Sequence, residues 1–404
     1  MTPHERQEIE REVAKRRTFA IISHPDAGKT TLTEKLLLYA GMVRTAGMVK
    51  GRKQQKNAAS DWMAMEQERG ISITASAMQF PYHGALLNVL DTPGHQDFSE
   101  DTYRTLTAAD AAVMVFDAAK GVETQTRKLF AVCRMRGVPV FTFVNKMDLP
   151  AMDPLDLMSE IEDVLGIHTA PRNWPVGSGK QFQGVVDLVN QELVRFERTA
   201  GGATISHSTR TPLAQARADL PEEVRDELEL LDGAGTEFSA EKLAACEVTP
   251  VFFGSALTNF GVEPFFDAFV DLAPHPSARA ADGPEGEVRV DPVDSPFSAY
   301  VFKIQANMNP RHRDNTAFLR VCSGRFEKQA VVDHHRTGKT VRLSRPHSMM
   351  AGGRETVECA YPGDVVGVIN PGAFRIGDTV SLGGTWNFKA LPAFQPEVFA
   401  RIRP

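Results

Sequence analysis

The sequence predicts an α/β domain built on a mostly parallel sheet with helices on both faces, followed by an all-β barrel domain. Up to about residue 275, short apolar segments alternate with segments of helical periodicity, which is the pattern of a parallel sheet covered by helices. Residues 276–293 are rich in Gly, Pro and acidic side chains and predict a linker. Beyond them, short strand-like segments separated by turns are typical of a small barrel.

Composition sets the broad class of the protein. At about 100–200 residues per domain, a length of 404 residues favours more than one domain. Hydrophobic residues are 42% and charged residues 24% of the chain, which excludes bulk disorder, collagen and coiled coil. The net charge of −6 excludes a basic coat for nucleic acid but leaves room for a local basic patch. Because the cysteines form no CxxC pair and the N-terminus has no apolar signal-peptide run, we expect a cytoplasmic protein.

The elements follow from local hydrophobic patterns. Residues 1–17 predict a short charged helix, and residues 18–275 the α/β domain. Its predicted strands are Thr18–Ile22, Leu86–Leu90, Ala111–Phe116, Val138–Val144 and Thr249–Phe253, and its predicted helices are Thr30–Ala40, Gln125–Arg136 and Val262–Ala273. An irregular Gly/Pro/Trp stretch and an acidic helix predict an insertion at about residues 150–246. The barrel is expected to span residues 294–404, with strands at Phe297–Gln305, Ala317–Val321, Val331–Val332, Val365–Ile369 and Thr379–Leu382.

A phosphate-binding motif lies between the first predicted strand and the first predicted helix. This phosphate loop is G-x-x-x-x-G-K-[ST] with serine in place of the first glycine, and it consists of Ser23, His24, Pro25, Asp26, Ala27, Gly28, Lys29 and Thr30. Backbone N–H groups at a helix N-terminus bind anions. Gly28 would admit the phosphates, Lys29 would contact the β- and γ-phosphates, and Thr30 would offer its hydroxyl to Mg²⁺. A second Gly-Lys-Thr, at residues 338–340, lacks the first position and predicts a hairpin turn.

Two further motifs point to guanine. The N-K-M-D segment, Asn145-Lys146-Met147-Asp148, follows a predicted strand, and its aspartate can accept hydrogen bonds from N1–H and the N2 amino group of guanine, a donor pair that adenine lacks. Its asparagine could tie the segment to the phosphate loop, and its lysine could stack along the base. The S-A-L segment, Ser255-Ala256-Leu257, would present backbone N–H groups to guanine O6. Alone, each segment is a weak signal, and a surface turn is the alternative.

The D-T-P-G-H segment, Asp91-Thr92-Pro93-Gly94-His95, also follows a predicted strand. Its aspartate would hold Mg²⁺ through water, the Gly94 amide would sense the γ-phosphate, and His95 could orient the attacking water. Ligands of parallel sheets bind beyond the carboxyl ends of the strands. All four motifs occur in order at such ends, so the sequence predicts a P-loop GTPase domain.

The sequence resembles the translational GTPases. Arg69–Ile73 is similar to their switch I motif R-G-I-T-I, and Asp91–His95 matches their D-T-P-G-H. Further stretches resemble the bacterial peptide chain release factor three family, which is related to elongation factor G: Thr18–Asp26, Ser60–Met63, Met78–His83, Asp97–Arg104 and Phe302–Met308.

The resemblance implies a ribosome-dependent GTPase of translation termination. It would promote dissociation and recycling of class I peptide chain release factors after peptide release, with GTP/GDP and Mg²⁺ as cofactors. The ribosome (RNA and proteins) and class I release factors would be its partners, without membrane or DNA. By the same resemblance, Asp26 to Thr31 would cradle the phosphates, Thr30 and Ser72 would ligate Mg²⁺, and His95 would be catalytic. Asn145, Lys146, Asp148 and Ser255 would read guanine.

Two alternatives stay open. The family has a third domain after the barrel, whereas this sequence ends at Pro404, so the chain could be a guanine-nucleotide-binding module with little turnover. It could also be another translational GTPase, although Phe302–Met308 argues against that. From Val301 to Arg345, ten Lys and Arg outnumber three Asp and Glu. This excess suits docking on ribosomal phosphate, and a solvated barrel surface is the alternative.

Overall fold

The computed structural model describes residues 1–43, 76–92, 99–197, 199, 202–234, 238–305, 315–350 and 353–389. Within these ranges the chain forms a seven-stranded sheet flanked by helices, a four-stranded sheet beside it, and an eight-stranded antiparallel sheet. The predicted fold class, an α/β domain followed by an all-β domain, is confirmed. None of the helices in the described ranges is long and apolar enough to cross a membrane.

The first part of the chain contains nine helices and eleven strands among the described residues. The helices are α1 (Pro3–Lys15), α2 (Lys29–Tyr39), α3 (Ser99–Ala108), α4 (Thr124–Arg136), α5 (Pro154–Leu165), α6 (Leu213–Ala216), α7 (Glu222–Ala234), α8 (Ala240–Ala244) and α9 (Val262–Leu272). The strands are β1 (Arg16–Ser23), β2 (Ser76–Tyr82), β3 (Ala85–Asp91), β4 (Ala111–Asp117), β5 (Val140–Asn145), β6 (His168–Pro171), β7 (Asn173–Val176), β8 (Gly184–Asp187), β9 (Glu192–Phe196), β10 (Ser208–Pro212) and β11 (Val248–Phe253).

The main sheet has the strand order β2-β3-β1-β4-β5-β11-β6. Only β2 runs antiparallel to its neighbour, and the other pairs are parallel. Strands β4, β5 and β11 are buried along their whole length, as expected where helices cover both faces. Because parallel strands end at one edge, β1, β3, β4, β5 and β11 deliver their following loops to the same side of the sheet.

Helix α1 begins with a reciprocal pair of hydrogen bonds. The Thr2 hydroxyl accepts from the Glu5 backbone N–H at 3.2 Å, and the Glu5 carboxylate accepts from the Thr2 N–H at 2.5 Å. This capping box, with Pro3 in the first turn, explains why so charged a segment is helical. The helix buries Ile9 and Val13 against Tyr361 of the barrel.

The insertion begins later than the sequence indicates. Helix α5 and strand β6 belong to the main domain, because β6 pairs in parallel with β11. The separate unit is the antiparallel sheet β10-β9-β8-β7, with α6, α7 and α8 after it. The separate antiparallel unit therefore begins after the expected boundary near residue 150. Strand β6 is short and carries the polar His168, so its own residues give no clear signal of an edge strand.

The rest of the described chain consists of strands. They are β12 (Arg279–Gly283), β13 (Gly286–Val290), β14 (Ser298–Gln305), β15 (Asn315–Ser323), β16 (Phe326–Glu327), β17 (Val331–His334), β18 (Lys339–Arg342), β19 (His347–Met350), β20 (Gly353–Thr356), β21 (Cys359–Ala360), β22 (Val365–Asn370), β23 (Thr379–Ser381) and β24 (Asn387–Phe388). The large sheet has the order β18-β17-β23-β14-β15-β22-β19-β20, and it buries an apolar core that includes Val301 and Leu319. The second Gly-Lys-Thr lies in the β17–β18 hairpin, as predicted.

The segment expected to be a linker is partly a β-hairpin. Strands β12 and β13 pair in antiparallel register from Arg279 with Val290 to Gly283 with Gly286, and β24 adds to the other side of β12. The Gly/Pro/acidic composition between them therefore marks the turn of a hairpin. Ala281 and Val290 are buried, so the hairpin belongs to the packed structure.

Candidate functional site

The phosphate loop requires glycine at position 28 for two reasons. Gly28 has a φ of +96°, and a Cβ built on it would lie 2.2 Å from Nδ2 of Asn145. A side chain there would therefore be strained and would collide with the neighbouring segment. Gly28 is the N-cap of α2 and carries no capping side chain, so the start of α2 meets the loop with backbone alone. Such a helix start favours negative charge.

Asn145 joins the two sides of the site. It ends β5 and is buried, and its Nδ2 donates to the backbone carbonyl of Ala27 at 2.8 Å. Its Oδ1 accepts from the Ala256 N–H at 2.8 Å. The hydrogen bond to the phosphate loop that the sequence leads us to expect is thus present. One side-chain amide holds the phosphate loop and the S-A-L segment at a fixed spacing, and loss of either bond would leave a buried backbone group unsatisfied.

The other polar residues of the N-K-M-D segment also have protein partners. The Ser255 hydroxyl donates to Oδ1 of Asp148 at 2.6 Å and accepts from the Thr258 N–H at 3.2 Å. Lys146 has a φ of +71°, and its Nζ lies 2.7 Å from Oδ2 of Asp117 at the end of β4. Asp117 belongs to none of the motifs in the sequence, although its place at the end of an apolar strand was a usable signal. These contacts set the direction of the Asp148 carboxylate and of the lysine stem.

The S-A-L segment offers fewer free amides than its sequence predicts. The Ser255 N–H donates to the carbonyl of Phe260 at 2.8 Å, and the Ala256 N–H donates to Asn145. Each amide is a single donor, so neither is available for guanine O6 in this arrangement. Leu257 is the member of the segment for whose amide the described part of the chain provides no acceptor. Of the backbone N–H groups that the segment is expected to present to guanine O6, the Leu257 amide is therefore the remaining candidate.

The structure gathers most of the predicted site residues at the carboxyl edge of the sheet. The Ser23 hydroxyl donates to the His24 carbonyl at 2.8 Å, and Nε2 of His24 lies 3.0 Å from a carboxylate oxygen of Glu123. Lys29 is buried in the first turn of α2. The remaining members range from buried to exposed: Ala27 and Met147 are buried, Pro25, Thr30 and Thr31 are half-buried, and Asp26 is exposed with a φ of +65°.

The D-T-P-G-H segment is described only at its start. Strand β3 ends at Asp91, whose backbone pairs with Ile21 of β1. Thr92 is buried, and its hydroxyl donates to the Ile21 carbonyl at 2.7 Å. This bond anchors the segment beside the phosphate loop. Pro93, Gly94, His95 and Ser72 lie outside the described residues.

Ion pairs account for part of the basic excess of the barrel among the described residues. Arg320 and Lys303 are buried, whereas Lys339, Arg342 and Arg345 are exposed. Residues Arg311 and Arg313 lie outside the described ranges. Four of the ten cations are paired with carboxylates: Arg320 with Asp110, Arg325 with Glu8, Lys328 with Glu358 and Arg336 with Asp378. Docking on ribosomal phosphate and a solvated barrel surface both stay predictions for the remaining charge.

Comparisons with known proteins agree with both domains. Residues 14–275 match the family described as "Elongation factor Tu GTP binding domain", and residues 296–383 match "Elongation factor G domain 2". The chain is 56% identical to peptide chain release factor 3 of Gloeobacter violaceus, over 97% of this chain and 74% of that protein. It is equally 56% identical to peptide chain release factor 3 of Symbiobacterium thermophilum, over 97% of this chain and 75% of that protein.

A solved structure supports the fold. A crystal structure of a protein from Thermus thermophilus superposes with a TM-score of 0.71 at 24% identity, and the alignment covers 96% of this chain and 56% of that one. The phosphate loop, the N-K-M-D segment and the S-A-L segment meet at one sheet edge inside the matched GTP-binding domain. The chain contains this domain, and more than half of its residues are identical to those of the two relatives over nearly its whole length. It therefore belongs to the peptide chain release factor 3 family of translational GTPases, enzymes that bind guanine nucleotide and hydrolyse GTP.

Proposed function

We propose that this chain acts on the ribosome during translation termination in the cytoplasm. Bound to GTP, it would promote the dissociation of a class I peptide chain release factor after peptide release, and it would leave the ribosome after hydrolysis. Ribosomal RNA and ribosomal proteins would form its docking surface. The observation that carries this role is the identity of more than half of the chain to peptide chain release factors 3. The Asn145 amide, which ties the phosphate loop to the S-A-L segment, supports the guanine-nucleotide site on which the role depends.

In the proposed site, the base is read by Asp148. A carboxylate has two oxygens with several lone pairs, so Asp148 can keep its bond from Ser255 while it accepts from N1–H and the N2 amino group of guanine. The serine hydroxyl restricts rotation of the carboxylate before the nucleotide arrives. The Leu257 amide would donate to O6. An adenine in this pocket would leave the half-buried Asp148 carboxylate without the two donors that guanine supplies.

The phosphates would lie against the start of α2. The Gly28 backbone admits their close approach, and Lys29 would provide positive charge to the β- and γ-phosphates. Thr30 stands in the first turn of α2 and offers a hard oxygen ligand of the kind that Mg²⁺ prefers, so this part of the loop fits the ion. Mg²⁺ would neutralise charge on the phosphate oxygens. Ser72 and Asp91 would complete the metal site by family resemblance.

Hydrolysis would depend on His95, which would orient the attacking water. We expect slow turnover by the free protein, because the ribosome would have to position this histidine. When the γ-phosphate leaves, the contacts that hold switch I and the D-T-P-G-H segment would be lost, which is the common order-to-disorder switch of GTPases.

The base assignment is tested by Asp148→Asn. The asparagine amide places a donor opposite the donors of guanine, so GDP affinity should fall about 100-fold, the loss of two hydrogen bonds to a charged group. Xanthosine diphosphate has a carbonyl at C2 and should bind the variant better than GDP does. Competition with a fluorescent nucleotide measures both affinities. Asp163→Asn, an exposed aspartate of α5, is the control. An unchanged GDP affinity in Asp148→Asn would disprove the assignment.

The termination role is tested with post-termination ribosomes that carry a labelled class I release factor. Addition of the chain with GTP should accelerate loss of the label, and ribosomes should stimulate GTP turnover. If nucleotide binds but ribosomes stimulate neither process, the chain is instead a guanine-nucleotide-binding module with little turnover.

A further inference from the structure

The insertion contacts the nucleotide site through Gly202. This residue lies in the connection between β9 and β10, and its carbonyl accepts hydrogen bonds from Nζ of Lys35 and from Nδ2 of Asn259, the latter at 3.0 Å. Lys35 belongs to α2, the helix that begins at the phosphate loop, and is 3% exposed. Asn259 follows the S-A-L segment and is 0% exposed. A single carbonyl of the insertion thus links the phosphate-loop helix to the S-A-L side of the site.

Gly202 also packs directly on the backbone of Leu257. A Cβ built on Gly202 would lie 1.8 Å from the Leu257 carbonyl oxygen. Real Cβ atoms do not approach backbone so closely, so any larger residue would have to push Leu257 away. Gly202 has a φ of +64°, which adds backbone strain to any substitution. Leu257 itself is 44% exposed, so its own side chain does little to hold it in place.

The insertion holds the end of this loop as well. Phe260 stacks on Phe196 of β9 with ring centroids 5.2 Å apart, and it lies 5.8 Å from the ring of Phe182. Asn259 Nδ2 also donates to the Thr204 carbonyl at 2.7 Å. At its start, the loop is held by Ser255 and Ala256 through the N-K-M-D segment. Between these two anchors, Gly202 of the insertion packs against the backbone of Leu257.

We propose that Gly202 is a positioning residue for base recognition: it holds Leu257 at the depth where the Leu257 amide donates to O6 of guanine. The inference rests on the proposed guanine site and deepens it, because it gives the insertion a part in nucleotide selectivity. Displacement of Leu257 would remove the O6 hydrogen bond and leave the Asp148 contacts in place. Substitution of Gly202 should therefore lower the affinity for nucleotides that carry O6 and leave the affinity for nucleotides without O6 nearly unchanged.

The experiment compares Gly202→Ala with Gly137→Ala. Gly137, the C-cap of α4, has a φ of +62°, and a Cβ there meets nothing within 4 Å. The two variants thus share backbone strain, and only Gly202→Ala disturbs Leu257. Affinities are measured for GDP and for 2-aminopurine riboside diphosphate, which has the N2 amino group and lacks both O6 and the N1–H. Each variant is therefore compared with the wild type for the same nucleotide, so that the missing N1–H is common to both measurements.

We expect Gly202→Ala to weaken GDP about 10-fold, the loss of one hydrogen bond, and to change the analogue less than about 2-fold. The preference for GDP over the analogue should therefore fall about 10-fold, whereas Gly137→Ala should preserve it. An unchanged preference in Gly202→Ala, or an equal loss in both variants, would overturn the inference. A wild-type protein with no preference for guanine would instead refute the proposed site.

Asn259→Gly provides a second test if Gly202→Ala does not fold. Asn259 has a φ of +70°, which glycine adopts without strain, so this change removes the side-chain bonds to Gly202 and Thr204 while the backbone conformation is retained. The preference for GDP over the analogue should fall about 5-fold, which corresponds to the loss of one neutral hydrogen bond of about 1 kcal/mol. A preference equal to that of the wild type would count against the role of Gly202.

Discussion

The two ends of the main sheet are built from different chemistry. At the carboxyl end, Asn145 and Ser255 connect the loops with neutral amide and hydroxyl groups. At the amino end, where the barrel docks, buried charges make the connections. Arg320 is 1% exposed and pairs with Asp110 at 2.5 Å, just before β4 begins. Arg16, the first residue of β1, pairs with Asp364 of the barrel at 2.8 Å.

Several hydrogen bonds and ion pairs also connect the two domains at the barrel end. Arg279 shares Asp110 with Arg320, at 2.9 Å, and the hydroxyl of Thr18 donates to the Gly363 carbonyl at 2.7 Å. Charges withdrawn from water are stable only while every partner is in place, because one that loses its partner cannot be rehydrated. The barrel end therefore favours one arrangement of the domains. At the nucleotide end, the bonds that Asn145 and Ser255 make between loops come from neutral groups, beside one ion pair of Lys146 with Asp117. Lone pairs of Asp148 are kept there for a ligand that must come and go.

Arg320→Met should reveal this difference most strongly. It removes one of the two cations that neutralise Asp110, and loss of one partner of a buried ion pair costs about 3–5 kcal/mol. Denaturant unfolding measures the loss, and GDP affinity should stay within about 2-fold of the wild type. Lys328→Met removes an exposed pair with Glu358 and should cost no more than about 1 kcal/mol. Equal losses in the two variants would mean that burial of the charge does not matter here.

Lys35 extends the comparison, because it is a buried cation at the nucleotide end that donates a hydrogen bond to the carbonyl of Gly202. Burial lowers the pKa of Lys35 to about 8, against a smaller opposing effect of the Glu34 carboxylate. Between about pH 8 and 10.5 the unfolded chain holds this proton and the folded chain does not, so the free energy of unfolding rises with pH across that range.

Lys35→Met lacks this titration. Relative to the variant, the wild type should gain about 3 kcal/mol of stability from pH 8 to 10.5. Unfolding of both proteins in denaturant at several pH values measures this gain. Parallel pH profiles would show that Lys35 titrates in the folded protein as it does in water.

Tyr300→Phe should have the smallest effect. The Tyr300 hydroxyl donates to the carbonyl of Thr107, at the end of α3, at 2.5 Å. Arg279 also donates to that carbonyl, at 2.8 Å, so the acceptor keeps a partner in the variant. The loss of one neutral hydrogen bond should cost about 1 kcal/mol in denaturant unfolding. A loss as large as that of Arg320→Met would show that hydroxyl and charge contacts contribute alike at the barrel end.

The strands and motifs of the GTPase domain could be predicted because their signals are local. An apolar run such as Ala111–Phe116 indicates a buried strand, and a motif directly after such a run must lie at the carboxyl edge. The bond from Asn145 to the phosphate loop followed from the same reasoning. The hairpin from Arg279 to Val290 was missed because its turn composition is also that of a linker.

The amino-acid sequence alone thus specified the type of domain, the chemistry of the site and the order of its loops, because hydrophobic periodicity and motif spacing are signals that extend over only a few residues. Which distant residues contact each other was decided by the folded structure. From its own segment, Arg320 would be predicted to be a surface cation. In the structure it is neutralised by Asp110, which lies 210 positions away in the sequence. From its own segment, Gly202 would be predicted to be an ordinary loop glycine. In the structure the Leu257 backbone approaches so closely that only a glycine fits at this position. Such contacts depend on which distant segments the sheet order brings together, and no short stretch of sequence carries that information.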